Sequence, residues 1–320
     1  MKFKYFGKNV SLKSDYSLFT RLFEQKFNGF LKFNQYKLDS GDVNIWINHN
    51  KEKSRLTNVF SNNLSSGNNK VSFTYRYLTS FVLVDYYQKG SGLDINIGFN
   101  YPLAFRIYNM ILGGLLERQL VLNVISDYIE KIMLYEISKK GYGCIHASAV
   151  EKQGIVIAFC GLNSSGKSSV TSYLIKNRGY HFFSDNYLLH KSMNVFFYPD
   201  QIRIPTYAKK LLNLKTSSWG FDKFRWLLDR KDYSKEKSAV VRKIYIVYRG
   251  KTWTKRSVNK KQARDIISLM QSFDGENIEV NPMVFINLNN INKLNIKLPS
   301  AKYYLLEMGK LEDFPTNNFL

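Results

Sequence analysis

The sequence predicts an α/β chain in two parts, and three observations predict it. The first ~100 residues are strand-rich, with short runs of β-branched and aromatic residues, one of them strictly alternating. Residues from about 143 onward alternate between short apolar runs and helical stretches. Between one such run, Ile155 to Cys160, and the helical stretch that follows lies a glycine-bounded loop, Gly161 to Gly166.

In the first part, DVNIWINHN sets Val43, Ile45 and Ile47 against polar neighbours, the pattern of a half-buried strand. KVSFTYRYL, FVLVDYY and LDINIGF read as further strands, as do the shorter KFKYFG and NGFLKF. SNNLSSGNNK reads as a loop. From Pro102 the pattern turns helical. PLAFRIYNMILGGLLER forms one helix, loosened at Gly113 and Gly114. A second stretch places Val121, Val124, Ile125, Ile132 and Met133 on one face and ends at Gly141. These features divide the chain into an α+β, strand-rich domain over residues 1–141 and a second domain over 142–320. The first domain is either structural or recruits a peptide along an exposed strand edge.

In the second part, CIHASAVEK leads through a turn at Gln153 and Gly154 into IVIAFC, a continuous apolar run of the kind buried on both faces in a parallel sheet. KSSVTSYLIKNRG is the next helix and YHFFSD the next strand. RKIYIVYRG, NKKQARDIISLMQSF and AKYYLLEMG continue as strand, helix and strand, which together predict a largely parallel sheet. The basic segment between residues 209 and 243 reads as two helical stretches.

Composition sets limits. The chain has 320 residues, 44% of them hydrophobic, enough for a sizeable core. Lys and Arg number 47 against 25 Asp and Glu, a net charge of +22. Such a charge favours anionic partners. The excess of Lys over Arg, with abundant Asn, Tyr and Ile, equally fits the drift of an AT-rich coding sequence. The two cysteines, Cys144 and Cys160, form no disulfide framework and no metal spacing. No apolar run reaches the ~20 residues of a membrane span, and the N-terminus lacks a signal-peptide pattern. The expectation is a cytoplasmic protein.

The loop carries the chemistry. Gly161-Leu-Asn163-Ser164-Ser165-Gly166-Lys167-Ser168 fits G-x-x-x-x-G-K-[ST] at every fixed position. Its glycines let consecutive backbone N–H groups converge on one phosphate, and the helix beginning near Lys167 adds its positive dipole end. Lys167 reaches the β- and γ-phosphates, Ser168 offers a hydroxyl to Mg²⁺, and Ser169 continues the first turn. The expected ligands are ATP and Mg²⁺. Asp185 ends YHFFSD, where an acidic residue beside the P-loop strand holds Mg²⁺ or its water, or serves as an N-cap. His146 lies in the preceding strand. A lone His is a core residue as often as a functional one.

The segments IHASAV, IAFCGLNSSGKSSVTSYLI and RGYHFFSDN, in that order, resemble the HPr kinase/phosphorylase family and its relatives, including the HPr-kinase-like peptide kinases found with lasso-peptide biosynthesis. FYPDQIRIPTYAKKLL is similar to the segment in which that branch places a Pro and an Arg before a helix. The resemblance covers about residues 143 to 310, and its specific part is 143–186. It implies the P-loop kinase fold shared by HPr kinase and phosphoenolpyruvate carboxykinase. The implied activity is transfer of the γ-phosphate of ATP to a hydroxyl, typically of Ser in a peptide or protein, or of a small molecule. It also implies roles: Lys167 and Ser168 on phosphates and Mg²⁺, Asp185 as metal ligand or base, His146 near the transferred group. Members often assemble, so a homo-oligomer is a further implied partner. Arg203, in QIRIP, is a candidate for transition-state charge or acceptor binding, or an ordinary surface residue.

Two departures qualify the resemblance. The family's second aspartate is Asn186 here, which can ligate a metal through its carbonyl but cannot act as a base. The glycine-containing signature that true HPr kinases carry after the P-loop domain is missing, which argues against an HPr kinase proper. Two rival readings follow. One is an RNA or nucleotide kinase using the basic segments near Lys209–Lys215 and Lys251–Lys261 with Tyr207 and Trp253. The other is a non-catalytic ATP-binding switch, which Asn186 favours. An ABC-type or motor ATPase ranks last, since no LSGGQ-like signature occurs.

Overall fold

A computed structural model describes residues 1–5, 8–33, 43–49, 65–67, 70–89, 92–138, 140–198, 202–218, 224–226, 228–273 and 297–315. The described residues separate into two compact units, Met1–Ile137 and those from Ser138 onward. Among the described residues no helix is long and apolar enough to cross a membrane.

The first unit is built on a seven-stranded sheet. Its strands are β1 (Lys2–Tyr5), β2 (Lys8–Ser14), β3 (Val43–His49), β4 (Ser65–Gly67), β5 (Lys70–Tyr77), β6 (Ser80–Lys89) and β7 (Gly92–Asn100), in the order β1-β2-β3-β7-β6-β5-β4. β3 runs parallel to both β2 and β7, and the other pairs are antiparallel. The alternation expected for β3 is present: Val43, Ile45 and Ile47 are buried. The loop expected over residues 61–70 falls partly outside the described residues and contains β4.

The helices correct two expectations. NGFLKF is not a strand; it ends helix α1 (Ser17–Phe33). Phe19, Leu22, Phe23 and Phe27 recur at helical spacing and are all buried, with Phe23 and Phe27 rings 4.5 Å apart. That longer period overrides the β-propensity of a six-residue run. The stretch after Pro102 is two helices, α2 (Leu103–Ile111) and α3 (Leu115–Asn123), because Gly113 and Gly114 both adopt left-handed conformations, at φ 60° and 82°. α3 passes through a π-helical segment, Val124–Glu130, into α4 (Lys131–Ser138). Val121, Val124, Ile125, Ile132 and Met133 are buried as their spacing predicts. Lys26 of α1 pairs with Glu130 at 2.9 Å, and both are almost wholly buried.

The second unit contains β8 (Gly143–Lys152), β9 (Ile155–Cys160), α5 (Lys167–Arg178), β10 (His181–Ser184), β11 (Tyr187–Lys191), β12 (Asn194–Phe196), β13 (Arg203–Ile204), α6 (Thr206–Leu211), β14 (Thr216–Ser218), β15 (Phe224–Trp226), β16 (Ser238–Arg249), β17 (Thr254–Val258), α7 (Lys260–Phe273) and β18 (Lys302–Met308). Its main sheet is mixed rather than largely parallel. β9, β16 and β18 run parallel, while β8, β10, β11, β12 and β17 are all antiparallel to their neighbours. The reason lies in the connections. Gln153 and Gly154, at φ 55° and 74°, form a two-residue hairpin turn that can only reverse the chain between β8 and β9. Of the two helical stretches expected in the basic segment, the described residues hold one α-helix, α6; Phe224–Trp226 is strand β15, paired with β13 and β14.

β9 and the middle of β16 are buried on both faces. On one face Phe159, Tyr245, Val247 and Leu306 pack with Val170 and Leu174 of α5. On the other, Ala158, Cys160, Ile244 and Ile246 pack with Ala263 and Ile267 of α7. This helix–sheet–helix layering holds the end of β9 rigid where the phosphate-type loop begins.

Candidate functional site

The loop leaves β9 at Cys160, between β8 and β16. Gly161 is required there. A Cβ at this position would lie 2.5 Å from the carbonyl oxygen of Val247 and 2.6 Å from Ser165 Oγ. Gly166, at φ 104°, closes the loop as the N-cap of α5, and a Cβ there would meet the methyl end of Met308 at 2.8 Å. Ser164 is also left-handed, at φ 63°. Leu162, Asn163 and Ser164 are exposed, whereas Ser165, Lys167 and Ser169 are buried.

Lys167 turns back over the loop. Its ammonium donates to the carbonyls of Gly161 at 2.7 Å and Leu162 at 2.9 Å. Ser168 Oγ donates to Asp185, at 3.1 Å from Oδ1 and 3.4 Å from Oδ2. Ser172 Oγ donates to the Ser168 carbonyl at 2.7 Å and steadies that turn. Asp185 is 2% exposed and follows directly on β10. Ser165 Oγ is buried and makes no hydrogen bond among the described residues, so a polar group in a ready-made cradle lacks a partner.

Strand register brings His146 to the same end of the sheet. The last β8–β9 pair is Ala147 with Cys160, so His146 stands one residue beyond the strand that feeds the loop. Its neighbour on the other side is Tyr187, whose ring meets the imidazole edge-on at 6.2 Å. Alternation assigns its face. Ser148, two residues on, bonds Thr171 of α5 at 2.8 Å, while Ile145, Ala147 and Ala149 join the opposite core. His146 therefore shares the α5 face with the loop. Ala147 N donates to the Asn186 carbonyl at 3.1 Å, tying β8 to the Asp185–Asn186 turn.

Arg203 completes the group. Its backbone N–H lies 3.5 Å from Asp185 Oδ2, and its Nη2 donates to Asn186 Oδ1 at 2.6 Å. The contact with Asn186 is invisible in the sequence, because no periodicity links a strand-end turn to a residue 17 positions later.

Chemically, the site offers a glycine cradle, a lysine, a hydroxyl bonded to a carboxylate, and a guanidinium. No cluster of three or more His, Cys, Asp or Glu side chains gathers among the described residues. A Mg²⁺ held here by Ser168 and Asp185 would complete its shell with waters and the oxygens of a bound phosphate. The residues fit that group. Compared with models of known protein families and with curated proteins, the chain matches none.

Proposed function

We propose that the protein is an ATP-dependent phosphotransferase that moves the γ-phosphoryl group to a hydroxyl of a peptide, a protein or a small molecule. The observation that carries the proposal is the Ser168–Asp185 hydrogen bond at the start of α5, beside a loop of P-loop sequence. The P-loop amides and Lys167 bind the phosphates, and Ser168 and Asp185 hold the cation. A Mg²⁺ held by Ser168 and Asp185 would supply charge neutralisation for the phosphoryl oxygens. The acceptor oxygen forms a bond to the γ-phosphorus as the bond to the β–γ bridging oxygen breaks. ADP leaves with that electron pair, and the hydroxyl proton passes to solvent. His146 orients the transferred group from the α5 face. Little covalent work falls to the protein; positioning and charge dominate.

The test is incubation of the purified chain with γ-labelled ATP and Mg²⁺ against Ser-containing peptides, free serine, bulk tRNA and no acceptor. Lys167→Ala and Asp185→Ala serve as controls. Label on one acceptor, lost in both variants, supports the proposal and names the acceptor class; label on tRNA alone selects the RNA-kinase reading. Tight ATP binding with no transfer selects a nucleotide-dependent switch.

A further inference from the structure

Asn186 stands where a second carboxylate would complete an acidic pair, and its environment explains the amide. Its side-chain oxygen accepts from Arg203 Nη2 at 2.6 Å. Among the described residues no carboxylate forms an ion pair with this guanidinium. An amide oxygen fixes where a guanidinium points without cancelling its charge. A carboxylate in the same place would form a charge-assisted, often bidentate pair and hold the fork to itself. Backbone geometry does not account for the choice. Asn186 sits at φ 69°, and Asn and Asp both tolerate that left-handed conformation.

The position of Arg203 says what the retained charge is for. Its own N–H approaches Asp185, which accepts from Ser168, the hydroxyl at the β,γ end of a bound triphosphate. We infer that Asn186 is a neutral seat that orients the Arg203 guanidinium without compensating its charge, leaving that charge for an anionic oxygen of the terminal phosphoryl group. Arg203 then touches substrate, and Asn186 is a positioning residue. The inference rests on the phosphotransferase reading and departs from it in one respect: Asn186 is a functional choice rather than a lost carboxylate.

The experiment measures ATP and ADP affinities by titration calorimetry on the full chain, in EDTA and in Mg²⁺. The proteins are wild type, Asn186→Asp, Arg203→Gln, Arg203→Lys and Lys167→Ala, each checked by thermal melting. The expected result is a wild-type preference for ATP over ADP that shrinks roughly tenfold in Arg203→Gln and in Asn186→Asp. Arg203→Lys, which keeps charge but loses the fork, falls between. An unchanged ATP/ADP ratio in both Arg203→Gln and Asn186→Asp overturns the inference. So does faster phosphoryl transfer by Asn186→Asp, the behaviour of a restored carboxylate. If Lys167→Ala weakens nucleotide binding while those two variants do not, this inference fails alone. If Lys167→Ala changes nothing, the phosphotransferase reading fails with it.

Discussion

The Ser168 hydroxyl and the Asp185 carboxylate meet at 3.1 Å, joining the first turn of α5 to the residue just after β10. Neither element could hold the other's side chain in place alone. β10 is only four residues long and is aligned by its pairing with β8. Both residues belong to the proposed cation site, so each contributes where the other cannot substitute. Ser168→Ala and Asp185→Asn are each expected to lower phosphoryl transfer by at least ~100-fold. Asp185→Asn keeps the size of the side chain and a hydrogen-bonding oxygen, and its melting temperature should stay near wild type. Initial rates with labelled ATP, alongside thermal melts, check this.

Gly161 is a second test, of the loop's construction. Any side chain at 161 meets the Val247 carbonyl at 2.5 Å, a backbone atom that cannot step aside. Gly161→Ala should destabilise the second unit by about 1–3 kcal/mol and abolish nucleotide binding. Urea unfolding with nucleotide titration measures both. Gly154→Ala, with nothing within 4 Å of its Cβ but φ 74°, should cost less.

The Lys26–Glu130 pair lies inside the first unit, with side chains 3% and 2% exposed. Lys26→Met alone takes the ammonium away from a buried carboxylate and should cost about 3–5 kcal/mol, whereas Lys26→Met with Glu130→Leu should recover most of that loss. Chemical denaturation of the single and double variants decides it.

His190 sets a pH dependence. Burial lowers its proton affinity below the ordinary histidine value. The Lys297 carbonyl, 2.7 Å from Nε2, opposes that shift, and the nearby Lys260 and Lys297 charges reinforce it. Nδ1 is buried without a hydrogen bond among the described residues. The unfolded chain therefore binds a proton here that the folded chain resists. The contribution is fully present above the unfolded value of about 6.5 and is lost as pH falls below it. Melting temperature should drop between pH 7 and pH 5.5, and His190→Gln, which can still donate to Lys297, should flatten that slope.

The two thiols should behave differently. Burial pushes Cys160 up to about 12, despite the opposing charge of Lys167, while Cys144 is half-exposed. At pH 8 a thiol reagent should titrate one cysteine quickly in the native protein and the second only on unfolding. Rapid native reaction of both would show that the end of β9 opens.

Much of this was legible in the chain. Strand β3 announced itself by a two-residue period, β5, β6 and β7 by β-branched and aromatic content, and β9 by a continuous apolar run. The loop residues were readable because each fixed position answers a local need: glycine where a Cβ collides, lysine and serine at the helix start. The errors also have local causes. NGFLKF looked like a strand because a short window hides the helical spacing that begins at Phe19. Gly113 and Gly114 break a helix rather than loosen it, since both are left-handed. Phe224–Trp226 pairs as a strand because its partners, β13 and β14, lie elsewhere in the chain.

Sequence alone determined the α/β class, the loop and the residues proposed to grip a phosphate, because backbone sterics, hydrophobic period and helix-terminus polarity act over a few residues. Tertiary structure decided the rest. Hairpin geometry at Gln153 and Gly154 made the sheet mixed. Strand register, a property of two segments at once, set His146 beside Tyr187 on the α5 face. The meeting of Asn186 with Arg203, which gives the amide a purpose, came from folding β13 against the turn after β10. Such contacts depend on the sum of packing across the whole sheet, and no local pattern encodes them.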